Sequence, residues 1–183
     1  LADYALDLGG ADVARESDSL GQWLNVAARA GRRPETARGV IDGMGGAGGA
    51  PEGICGEVTE TAVRRHAAAA ASTLWRLRAC GIRTALDDFG TGASSLAVLR
   101  ELPVDVLKID RSFVSGIASD PRDLSLIRAV IGLAADFGMQ VLAEGVEADA
   151  QRQLVLEQGC RLGQGFLFST ALPLGEIVNK LSD

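Results

Sequence analysis

Five short apolar runs in this chain each end at a residue able to do chemistry: Glu57, the pair Asp87-Asp88, Lys108 followed closely by Asp110, Glu144, and Gln164. The adjacent carboxylates of Asp87 and Asp88 repel each other unless a cation sits beside them. Such oxygen donors suit hard divalent cations, Mg2+ or Mn2+. Two cations held together by carboxylates activate a water and stabilise a phosphoryl transition state. Lys108 would add a fixed positive charge for a phosphate or the attacking water. Gly90-Thr91-Gly92 follows the acid pair as a loop with two glycines, able to approach a ligand closely or to hinge. An acid after a strand is ordinarily a helix N-cap or a solvated loop residue. Five strands that share the feature, with a lysine and a glutamine among them, point instead to a site.

The elements that must position these residues alternate. Strands are expected over residues 54–59, 82–86, 106–109 and 140–143, and near 163–168. Helices are expected over residues 62–80, 94–101, 124–137, 149–158 and 174–181, three of them stopped by Gly81, Gly138 and Gly159. Strand and helix in alternation imply a parallel sheet with helical crossovers, and catalytic groups gather at the C-terminal strand ends of a parallel barrel. The character changes near residue 53. Upstream, one helix is expected over residues 19–30, where Leu20, Trp23, Leu24, Ala27 and Ala28 recur at helical spacing. Residues 43–53, GMGGAGGAPEG, read as a flexible linker. The division is therefore 1–53, a degenerate N-terminal helix plus Gly-rich linker, and 54–183, the barrel segment.

Composition narrows the classes. A chain of 183 residues, 47% apolar and 23% charged, has room for one core. No apolar run approaches the ~18 residues of a membrane span, and the first residues lack a signal peptide's basic start and apolar stretch, so a cytoplasmic address is expected. The chain opens at Leu1 without a Met, as a fragment would. A net charge of −6 argues against binding a nucleic-acid polymer, though not against a nucleotide whose charge a metal offsets. Cys55, Cys80 and Cys160, odd in number and widely spaced, suggest neither disulfides nor zinc. The lone His66 reads as a surface helix residue.

GEVTET (residues 56–61), DDFGTGASSL (87–96), LKIDRSFV (107–114), VLAEGVE (141–147) and GCRLGQGFLF (159–168) together resemble, in order and spacing, the strand-end motifs of the EAL-domain family. That resemblance implies a modified (β/α)8 TIM-barrel-like α/β fold and metal-dependent hydrolysis of cyclic di-GMP to linear pGpG. It implies that Glu57, Asp87, Asp88 and Glu144 hold two metals, Mg2+ or Mn2+. It places Lys108 beside the nucleophilic water and Gln164 where it holds site and substrate. It makes Glu147 a supporting acid and Glu60 the anchor of the loop carrying Gly90, Thr91 and Gly92. A homodimer is a further expectation from the family.

The departures lie upstream. The chain contains no Glu-Ala-Leu, the motif whose glutamate binds metal. The family's asparagine ligand on a Val-Asn-Leu/Val-Ser strand has no evident counterpart; Leu24-Asn25-Val26 falls in the helical pattern, so its role is not carried to Asn25. Leu20-Gly21-Gln22-Trp23-Leu24 resembles the family's helix after the missing motif. Ala93 and Thr170-Ala171 also depart from the usual pattern. The barrel is therefore expected to be incomplete, with early strands missing or degenerate and two sheet edges exposed. Losing two oxygen ligands weakens metal binding. The expected function is an EAL-type phosphodiesterase with catalysis weak or lost, the alternatives being a non-catalytic module that binds cyclic di-GMP or a protein, and a remnant.

Overall fold

The computed structural model describes residues 3–4, 6–7, 22–25, 54–92 and 96–168. Its strands are β1 Asp3–Tyr4, β2 Leu6–Asp7, β3 Gln22–Asn25, β4 Ile54–Thr59, β5 Arg83–Phe89, β6 Val106–Ile109, β7 Gln140–Ala143 and β8 Leu162–Gly163. They form one sheet in the order β1-β3-β4-β5-β6-β7-β8-β2. From β3 to β8 every neighbour is parallel. β1 and β2 pair antiparallel with β3 and β8 at the two ends of that run. Because β1 and β2 are one residue apart, their facing ends lie within about 8 Å of each other. The sheet thus curls back on itself as a TIM-barrel-like structure, with fewer than the eight parallel strands of a full barrel among the described residues.

Two expectations change here. The helix expected over residues 19–30 is, at Gln22–Asn25, a strand paired in register with β4, and Leu24-Asn25 belongs to that strand. Four residues are too few for helical and extended spacing to be told apart, and the open edge of β4 decides the matter by pairing. The edges of β3 and β8 that were expected to be bare are each partly covered by a two-residue strand, β1 and β2.

Crossover helices cover the outside. Glu60–Arg65 and Ala67–Ala79 lead to β5, Leu96–Glu101 to β6, Arg111–Gly116 and Pro121–Asp136 to β7, and Asp149–Glu157 to β8. The single helix expected over 62–80 is broken at the exposed His66, whose backbone leaves the helical region (φ −144°, ψ 50°). The helix expected from residue 124 begins at Pro121, with Asp120 capping it and proline at its first turn. The last strand stops at Gly163, and residues 166–168 form a turn. The expected helix over 174–181 and the linker over 43–53 lie outside the described residues. No helix among the described residues is long and apolar enough to cross a membrane.

The core has two parts. Between sheet and helices, Val58, Leu86, Leu107, Ile109 and Ala143 pack against Leu74, Leu99, Val114, Ile127 and Val155. A second, smaller cluster contains Cys55, Ala85, Val106 and Leu142, with Leu162 against it, one residue from each of β4 to β8. That ring is the barrel's apolar inner layer. Side chains alternate along a strand, so the next residue on the same inner face lies two positions on. Two positions after Cys55, Ala85, Val106, Leu142 and Leu162 stand Glu57, Asp87, Lys108, Glu144 and Gln164.

Candidate active site

The inner polar layer is built on that two-residue step. Glu57 is the fourth residue of β4, Lys108 the third of β6, and Glu144 and Gln164 follow β7 and β8 directly. Backbone pairings fix the last two: Glu144 N–H donates to the Ile109 carbonyl and Gln164 N–H to the Ala143 carbonyl.

β5 solves the problem of aiming two adjacent carboxylates at one place. Leu86 is opposite Leu107 and Phe89 opposite Ile109, so three steps on β5 face two on β6. The extra residue is a bulge, which re-aims side chains. Asp88 sits in it with φ +57°, the one positive φ outside glycine among the described residues. The bulge breaks the alternation, and oxygens of Asp87, Asp88 and Glu144 come within 4.8 Å of one another.

Lys108 lies at the centre. Its Nζ is 2.6 Å from Glu57 Oε2, 2.7 Å from Glu144 Oε1 and 3.1 Å from Asp87 Oδ1. The side chains of Lys108 and Glu57 are each only 2% exposed. Burial disfavours the ammonium charge, but Glu144, Asp87 and Glu57 together outweigh it and hold the lysine above its ordinary pKa. Burial pushes the Glu144 carboxyl up to about 7, with Lys108 opposing and Asp87 adding to the rise. Asp88 is also raised, by burial first and by its neighbour Asp87 second.

Gln164 completes the layer. Its Nε2 donates to Glu144 Oε1 at 2.7 Å, while its Oε1 is buried and meets no hydrogen-bond donor. A buried acceptor without a donor is costly. Nearby, the carboxylate oxygens of Asp87, Asp88 and Glu144 make an all-oxygen donor set of the kind that Mg2+ and Mn2+ take. The residues present therefore fit a divalent cation.

The glycine loop is tied down beside the site. Glu60, buried at the start of its helix, accepts from Gly90 N–H at 2.9 Å and from Gly92 N–H at 3.4 Å through Oε2. A Cβ on Gly92 would stand 2.6 Å from Glu60 Oε1, so a larger residue there would push the Glu60 carboxylate aside. Thr91 turns back on the strand, its hydroxyl donating to the Asp88 carbonyl at 2.9 Å.

Two acids stand apart from this group. Asp110 caps the helix Arg111–Gly116, accepting from Ser112 N–H at 2.9 Å. Glu147 is exposed, and its backbone N–H donates to Gln151 Oε1. One position passed over in the sequence stands close by: the Cα of Asn25, at the end of β3, is in register with Glu57.

The comparisons agree with this arrangement. A family model for the EAL domain matches residues 10–171. The chain is 46% identical over 121 residues to the cyclic di-GMP phosphodiesterase NbdA of Pseudomonas aeruginosa, which is 66% of this chain and 16% of NbdA. It spans about a quarter of the length of other curated relatives it matches. Among solved structures, the EAL domain of Mycobacterium smegmatis DcpA superposes with a TM-score of 0.87 at 32% identity, over 100% of this chain and 95% of that one. A manganese and cyclic di-GMP complex of Klebsiella pneumoniae BlrP1 superposes with a TM-score of 0.73 at 33% identity, over 81% of this chain and 38% of that one. With its five strand-end motifs on one parallel barrel rim and a family match across most of its length, this chain belongs to the EAL domain family.

Proposed function

We propose that this chain is a cyclic di-GMP phosphodiesterase of reduced activity, hydrolysing one phosphodiester bond to give linear pGpG. The observation that supports this reading most directly is the convergence of Lys108 on Glu57, Asp87 and Glu144. Asp87, Asp88 and Glu144, with Glu57 and the buried Gln164 Oε1 close by, would hold Mg2+ or Mn2+. When bound, such a cation polarises a phosphoryl oxygen and acidifies a water.

The chain's own residues supply the rest. Lys108, held charged by its three carboxylates, is placed to stabilise negative charge gathering on a phosphate. Glu144, freed of its proton when a cation is held, would accept a hydrogen bond from the attacking water and orient it. Gln164 fixes Glu144 by its 2.7 Å hydrogen bond. Glu60 holds the Gly90–Gly92 turn against the rim. The water oxygen joins phosphorus as the bond to the ribose oxygen breaks; one water proton ends on that oxygen, which leaves as a hydroxyl, and the other passes to solvent from the new phosphate.

Activity is reduced because the Glu-Ala-Leu glutamate is missing and a hard cation tolerates little loss of ligands. The same deficit favours a second reading, a receptor that binds cyclic di-GMP without turnover: Lys108 already neutralises part of the acid cluster without any metal. Calorimetric titration with cyclic di-GMP, with and without Mn2+, separates the two. Binding that needs Mn2+ supports the phosphodiesterase; equally tight binding without metal selects the receptor; no binding under either condition removes both.

A further inference from the structure

β7 and β8 stop at Ala143 and Gly163, yet the two chains stay joined beyond them. Gln164 N–H donates to the Ala143 carbonyl at 2.9 Å, Val146 N–H to the Gln164 carbonyl at 3.0 Å, and Leu167 N–H to the Val146 carbonyl at 3.0 Å. Val146, itself fully buried, therefore donates to the chain before Gly165 and accepts from the chain after it. Gly165 is seated in that gap with φ +153°. A Cβ on it would meet the Val146 nitrogen and carbonyl oxygen and stand 2.8 Å from the carbonyl carbon, all of them backbone atoms with nowhere to go. On the other side, Gly145 with φ +68° lies against the start of the helix Arg111–Gly116, where its Cβ would stand 2.5 Å from the Arg111 Cβ. The residues just before these two glycines are Glu144 and Gln164.

We propose that Val146 and Gly165 form a backbone clasp that sets Gln164 against Glu144, which makes them positioning residues of the rim although neither brings a functional side chain to it. The consequence for turnover rests on the phosphodiesterase reading; the clasp itself does not.

The geometry shows why a clasp is needed. Gln164 follows a strand of two residues, so regular pairing holds its backbone only weakly. A long side chain on a loose backbone regains its rotamer freedom. The Gln164 carboxamide must nevertheless reach Glu144 Oε1 at 2.7 Å, the same oxygen that Lys108 Nζ meets at 2.7 Å. Hydrogen bonds weaken steeply with misalignment. A displacement of about 1 Å by a change outside the reacting groups is enough to cost about a hundredfold in rate.

Gly165→Ala tests the clasp, with Gly138→Ala as its control. Gly138 also has a positive φ, +69°, but open space where a Cβ would go, and it stands just before β7, at the end of that strand away from the rim. Exchange is followed by nuclear magnetic resonance in the metal-free chain, relative to the amides of β6. Gly165→Ala should speed exchange at the Val146 and Leu167 amides and at the Gln164 carboxamide by about tenfold or more, and Gly138→Ala by less than about twofold. Turnover of cyclic di-GMP with Mn2+ should fall about tenfold or more in Gly165→Ala. Made in a Gln164→Ala background, the same change should cost less than about twofold, because no carboxamide is left to misplace. Equal falls in the two backgrounds, or unchanged exchange at Val146 and Gln164 in folded Gly165→Ala, would overturn the proposal. Should Gly165→Ala fail to fold, exchange in the wild type against denaturant carries the test. Val146, Leu167 and the Gln164 carboxamide should then open together, and separate opening would overturn the clasp. No turnover by the wild type would overturn the phosphodiesterase reading and leave the exchange measurements to decide the clasp.

Discussion

Lys108 and Glu57, on the barrel's inner face two strands apart with β5 between them, meet over 2.6 Å with both side chains 2% exposed. A buried pair of this kind contributes little when whole, yet removing one partner strands the other. Glu57→Leu, which leaves the ammonium with two carboxylates, should lower the unfolding free energy of the metal-free chain by about 3 kcal/mol, at the low end for a broken buried pair. Thermal unfolding should show a fall of about 6–12 °C. A shift of less than about 2 °C would mean that the pair is open to solvent in solution.

The Glu60–Gly90 contact ties the glycine turn to a helix thirty positions upstream. Hydrogen bonds to a charged acceptor are worth about 1.5–3 kcal/mol, so Glu60→Ala should speed amide exchange at Gly90 and Gly92 by about tenfold or more. Amides of β6 and β7 should keep their protection. Hydrogen exchange read residue by residue checks this; unchanged rates at Gly90 would show that the loop is held by other means.

Glu144 carries the pH dependence. Its carboxyl is raised from 4.5 to about 7, by burial above all. The sign follows from that direction. The metal-free fold gains from keeping the proton, fully below pH 4.5, and loses that gain as pH rises through about 7. A cation needs the carboxylate, so it must displace the proton below that pH. Mn2+ affinity should therefore rise up to about pH 7 and level off above it. Titration in buffers of different ionisation enthalpy should register proton release on the acid side. Affinity flat across this range would place the carboxyl near its ordinary pKa.

The thiols differ sharply. Burial pushes Cys55 and Cys160 up to about 12, whereas Cys80 is exposed. Thiolate is the reactive form, so a thiol reagent at neutral pH should label Cys80 rapidly and the other two only on unfolding. Mass spectrometry of the native protein checks this; rapid labelling of Cys55 would mean that the inner layer opens.

From β4 to β7 the sequence is easily read, because Val58, Leu107, Ile109 and Leu142 lie in short apolar runs closed by glycine or an acid. The strands Ile54–Thr59, Val106–Ile109 and Gln140–Ala143 fall where the pattern puts them. The acids of the site were visible for the same reason: each ends a run. Less visible were features set by partners elsewhere in the fold. Gln22–Asn25 is a strand because β4 offers it an edge, and four residues cannot announce that alone. β5 runs on through Asp87-Asp88 to Phe89 because β6 pairs beyond the bulge. The helix start at Pro121 was marked by Asp120-Pro121 but masked by the stronger apolar period further on. That Asp110 caps a helix while Glu144 meets Lys108 depends on the turn after each strand, which composition does not reveal.

The central claim is that this rim hydrolyses cyclic di-GMP with a divalent cation, slowly. Chromatographic assay of cyclic di-GMP with Mn2+ tests it most directly, comparing the wild type with Asp87→Asn and with the cyclic di-GMP phosphodiesterase NbdA as a reference. The account predicts slow, cation-dependent conversion to linear pGpG, below the reference rate and abolished by Asp87→Asn. Conversion that survives Asp87→Asn, or no conversion at any Mn2+ concentration, would contradict it.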